Sequence, residues 1–78
     1  MSEASYFELW VKGCEEFNTL MYLLEGERDH ALYKTTTERI VGGSIYYDTP
    51  VFHVWIHGQQ VLTTTNYLEA VRKWESLK

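Results

Sequence analysis

The sequence predicts an α+β fold: one small domain over residues 1–78, with an antiparallel sheet of four to five strands and two helices packed on one face. Three observations lead there. Several stretches alternate apolar and polar side chains with the period of a strand. The turns after residue 38 are too short for crossovers, so strands there run antiparallel. Two other stretches carry an apolar stripe at helical spacing, and one sheet with both helices on one side buries both stripes most simply.

In chain order, Tyr6-Phe7-Glu8-Leu9-Trp10-Val11-Lys12 alternates, with Phe7, Leu9 and Val11 on one side and Tyr6 and Trp10 on the other. It reads as the first strand, ended by Gly13. Cys14, Phe17, Leu20, Met21 and Leu24 then recur at helical spacing, which predicts a helix over 14–25. Glu15 and Glu16 would occupy its first turn, where the helix dipole favours acids, and Gly26 would cap its end. A competing reading makes 15–24 a strand that pairs back across Gly13. Residues 31–41, rich in threonine, favour a strand. Gly42-Gly43 signals a turn, and Ser44–Tyr47 forms another strand. The order is then β–α–β–β–β–β–α.

The clearest signal lies at 51–78. Phe52, Val54 and Ile56 alternate with His53, Trp55 and His57. Gly58-Gln59 suits a two-residue turn that sets Ile56 opposite Val61. Asn66 suits a helix N-cap, with Glu69 three residues on as in a capping box. Tyr67, Ala70, Val71, Trp74 and Leu77 follow as one apolar stripe, which places Trp74 over the Phe52/Val54/Ile56 face. Phe7–Gly13 and Phe52–Gly58 share the pattern F-x-φ-W-φ-x-G, which alternation in an aromatic-rich chain produces by itself.

A chain this small buries only roughly 60% of its unfolded surface. Cys14 is the lone cysteine, so no disulfide framework assists, and a reducing, cytoplasmic setting is expected. No apolar run approaches the length of a membrane span. The net charge of −4 disfavours direct nucleic-acid binding, since phosphate neutralisation supplies most of that affinity. The charge is uneven: residues 1–29 hold seven acids and two bases.

Chemistry is sparse. His53 and His57 on one strand face would stand about 13 Å apart, too far to share a metal ion. Glu15 and Glu16 are helix neighbours and point apart. Gly42-Gly43 lacks the spacing and lysine of a phosphate loop. Cys14, on an apolar stripe, reads as a buried small hydrophobe. No catalytic, metal or cofactor site emerges, and an enzyme is not expected. If both helices cover the Phe face, Trp10 and Trp55 lie on an open sheet face with Tyr6, Tyr46, His53 and His57, where a partner protein or a second copy would cover them. Together with the acidic Glu15 and Glu16, these are the expected contact residues of an inhibitor or adaptor. In size and charge such a chain is similar to phage and mobile-element accessory proteins that block host enzymes. A homodimeric subunit is the alternative, and a nucleic-acid binder using aromatic stacking comes third.

Overall fold

The structure is a computed structural model that describes residues 5–77. Its elements are α1 (Tyr6–Glu16), β1 (Thr19–Glu27), β2 (His30–Val41), β3 (Ser44–Tyr47), β4 (Val51–Ile56), β5 (Gln59–Thr64) and α2 (Tyr67–Ser76). The α+β class, the antiparallel five-stranded sheet and the two helices agree with the sequence reading. The sheet runs β1-β2-β4-β5, and β3 pairs with the far end of β2.

The first third departs from expectation. Residues 6–16 are helix and residues 19–27 are strand, the reverse of the predicted order. Two signals favour the helix. The Ser5 hydroxyl accepts from the Glu8 amide at 3.1 Å, an N-cap with Glu at the third helical position. Phe7, Trp10, Val11 and Cys14 also fall at i, i+3, i+4 and i+7, a helical stripe inside what reads as alternation. Asn18, at φ 54°, turns the chain into β1. Residues 19–24 are therefore strand, as the competing reading held for them, but they pair with β2 and not back across Gly13, and Phe17 and Leu24 of the supposed helical stripe are exposed.

The second departure concerns the faces. Alternation along β2 and β4 sends Leu32, Phe52 and Val54 to one side, where they pack with Ala70 and Trp74 of α2. Ala31, Tyr33 and Trp55 go to the other side, where they meet Phe7, Trp10 and Val11 of α1. The helices thus lie on opposite faces, not on one. With α1 at the front of the chain, its own stripe is available to cover the side that α2 leaves open.

At the C-terminal end the predicted elements are present. The Asn66 side chain accepts from the Glu69 amide at 3.1 Å, and Trp74 is buried against Phe52 and Val54. The hairpin register differs. The turn is His57-Gly58, at φ 48° and 79°, so Ile56 pairs with Gln59. A bulge beside Trp55 then sets Val54 opposite Leu62, still one residue short of the expected register.

Gly26 is no helix cap. It lies in β1 opposite Ala31 at φ 82°, and a Cβ there would come within 2.4 Å of the His30 carbonyl oxygen and 2.9 Å of the Trp74 ring. Its bare backbone lets the α2 indole close over the end of the sheet.

Candidate interaction surface

Trp55 is only 3% exposed. Its ring centroid lies 5.4 Å from Phe7 and 5.2 Å from Trp10, both on α1. Trp10 is not a strand residue. It points from α1 onto the sheet, 5.3 Å from Tyr33 and 4.9 Å from His53. The open tryptophan face expected from the sequence is therefore an interior layer, and its cover is the chain's own first helix. Large aromatics on that face do need shelter from water.

His53 is buried with them. Gln60 Oε1, which can only accept, stands 2.7 Å from Nδ1, so Nδ1 carries the proton. Nε2 then accepts from the Thr35 hydroxyl at 2.8 Å. Burial pushes the imidazole pKa below its usual value, and the Gln60 bond opposes this in part. Both nitrogens are engaged, so His53 ties β2, β4 and β5 together on this face. The Cys14 thiol is pushed up by burial and then by Glu15, which keeps it protonated.

The remaining expected contact residues are exposed but scattered. Tyr6 opens α1, and Glu15 and Glu16 close it, so the two acids sit in its last turn and oppose the dipole instead of complementing it. His57 lies in the β4–β5 turn with its ring 5.0 Å from His30. Its turn position separates it from the buried face of His53. Among the described residues no three His, Cys, Asp or Glu side chains gather as metal ligands.

Tyr46 points to a surface that the sequence reading did not assemble. Beyond Thr37, β2 has outrun β1 and pairs only with β3, through Glu38–Tyr47, Arg39–Tyr46, Ile40–Ile45 and Val41–Ser44. Gly42 and Gly43, both at positive φ, make the two-residue turn. The result is an arm in which Ile40 is 69% exposed and Val41, Ile45, Tyr46 and Tyr47 are each more than half exposed. Its base is held by an ion pair of 2.7 Å between Arg39 and Asp48 and by the Asp48 amide donating to the Thr37 carbonyl at 3.0 Å. Beside it runs a groove of about 530 Å³ bordered by Glu15, Asn18, Leu20, Glu38 and Ile40. The arm thus shares its flank with the acidic end of α1.

A signal for the arm exists in the sequence. In Arg39-Ile40-Val41-Gly42-Gly43-Ser44-Ile45-Tyr46-Tyr47 the apolar residues are adjacent, not alternating. Such a hairpin is apolar on both faces. It has to be buried twice over or left projecting. Among the described residues no helix is long and apolar enough to cross a membrane. Comparison with known protein families, characterised proteins and solved structures finds no match.

Proposed function

We propose that this chain is a small, acidic, non-enzymatic protein-interaction module of the inhibitor or adaptor kind, and that its contact surface is the β2–β3 arm with the flanking groove. The observation that carries the reading is the arm itself: a hairpin projecting past β1 with five large apolar side chains turned to solvent. Contiguous exposed apolar surface of this kind marks an interface. Tyrosine and isoleucine, with an acidic rim from Glu15 and Glu38, suit a partner protein surface better than a nucleic-acid backbone. A reducing cytoplasmic setting suits the free Cys14 thiol.

Co-purification from the native host tests the reading. The wild-type chain should retain a protein that Tyr46→Lys loses, while circular dichroism shows both chains folded. Equal retention by Tyr46→Lys and by Ile45→Lys would overturn the arm as contact surface.

A further inference from the structure

A cavity of about 270 Å³, open to solvent, lies between the last turn of α1 and the sheet. Trp10, Cys14 and Phe17 form its roof. Its floor is Thr19 paired with Thr37, Thr35 paired with Val51, and His53. Gly13 keeps the roof thin. Expected to end a strand, it stands inside α1, three residues after Trp10 and four before Phe17, and so shares their face. Helix interiors disfavour glycine. Neither usual reason for one applies here: its φ is not positive, and a Cβ at this position would meet nothing within 4 Å. What the glycine leaves is room. Phe17, at the rim, is 73% exposed.

The polar groups of the lining are few and uncharged. Among the described residues no Lys, Arg, Asp or Glu borders the cavity, and burial favours the neutral form of His53. Thr35 gives its hydroxyl proton to His53 and keeps oxygen lone pairs to spare. The Thr19 and Thr37 hydroxyls stand 3.1 Å apart, so one of their two protons lies in the bond between them. The other has no protein partner among the described residues.

We propose that this cavity is a binding site for a small neutral aromatic compound of two fused rings carrying one hydroxyl group. An apolar cavity of about 150 Å³ holds a single benzene ring, so about 270 Å³ suits a fused pair. The rings lie against Trp10, Phe17 and the methyl groups of Val51 and the threonines, where aromatic contacts add to apolar burial. The ligand oxygen accepts the spare proton of the Thr19–Thr37 pair, and its own proton goes to a threonine oxygen. An ionised ligand is excluded, because no charge in the lining would pair with it. The site does not rest on the reading of the arm.

Amide NMR titration of the full chain with 2-naphthol tests the proposal. Saturable shifts are expected at Gly13, Cys14, Thr37 and His53, with a dissociation constant of about 1 mM or below. 2-Naphthalenesulfonate, with the same rings and a fixed charge, should bind at least about tenfold more weakly. Gly13→Leu fills the cavity from the roof and should weaken 2-naphthol at least about tenfold while circular dichroism shows a folded chain. Gly13→Ala, which leaves most of the space, should bind as wild type does. If Gly13→Leu fails to fold, alkylation of the wild-type Cys14 by iodoacetamide decides: 2-naphthol should slow it severalfold and the sulfonate should not. Shifts that do not saturate, or that scatter over the surface, overturn the site. So do equal affinities for 2-naphthol and the sulfonate, a folded Gly13→Leu chain that binds as wild type does, or an alkylation rate that 2-naphthol leaves unchanged.

Discussion

His53 shows how one residue type changes meaning with its surroundings. On an exposed strand it would titrate freely; here it sits neutral between Thr35 and Gln60 under Trp10. Its folded pKa lies below its unfolded value of about 6.5. The unfolded chain therefore takes up the proton first as pH falls, and stability present above about 6.5 is lost progressively toward the folded pKa. The urea midpoint of the wild-type chain should drop between pH 7.5 and pH 5. His53→Gln should flatten that drop, and an equal drop in the variant would refute this role. At Ser5 the cap gives a second expectation: Ser5→Ala should cost about 1 kcal/mol in chemical denaturation. Glu16→Lys should act oppositely, gaining about 0.5 kcal/mol by removing an acid from a helix C-terminus. The Asn66 cap was legible because a polar residue there interrupts a threonine-rich strand. The Ser5 cap was obscured because Tyr6 to Lys12 satisfies the strand period and the helix period together.

Among the elements, α1 and β1 exchange the roles their sequences suggest. What decides is which stripe can be buried against the sheet. Phe7, Trp10 and Val11 on a helix cover Tyr33 and Trp55, whereas Leu20, Tyr22 and Leu24 serve as the outer edge strand and stay partly exposed. Trp10→Ala should then cost about 3 kcal/mol, the low end for an aromatic truncation, because Trp10 is only partly buried. It should also shift the tryptophan emission of the chain to the red as water reaches Trp55. Unchanged stability would mean that α1 does not hold the layer. Gly26 gives a sharper contrast. Gly26→Ala brings a methyl against the His30 carbonyl and the Trp74 ring, while Gly43→Ala meets nothing within 4 Å and strains only a turn. Gly43→Ala should therefore cost about 1 kcal/mol, and Gly26→Ala clearly more, measured as denaturant midpoints on the same chain.

Over the whole molecule, Cα extents of 43 × 39 × 15 Å describe a plate, not a ball. Two aromatic-rich layers, one on each side of the sheet, form the core, and the arm adds reach without adding to either layer. Replacing residues 40–45 by a two-residue turn should leave thermal unfolding within a few degrees of wild type, because the side chains removed are already in water. Partner binding should be lost in the same variant. A collapse of thermal stability on that deletion would mean the arm is part of the core.

The sequence by itself determined the α+β class, the strands from residue 44 onward, the turn at Gly42-Gly43, the capped final helix and the burial of Trp74, and it only favoured a strand over the threonine-rich residues before that turn. These rest on local chemistry: short turns, β-branched runs and an N-cap act within a few residues of themselves. It also determined that the aromatic side of β4 must be covered. Only the tertiary structure decided what covers it, because α1 is remote in sequence from the strand it shelters and its pattern fits two periods equally well. Once α1 took the tryptophan face, the apolar surface left exposed lay on a hairpin whose exposure depends on how far β2 outruns β1. That difference in reach is a relation between strands, carried by no single stretch of the chain.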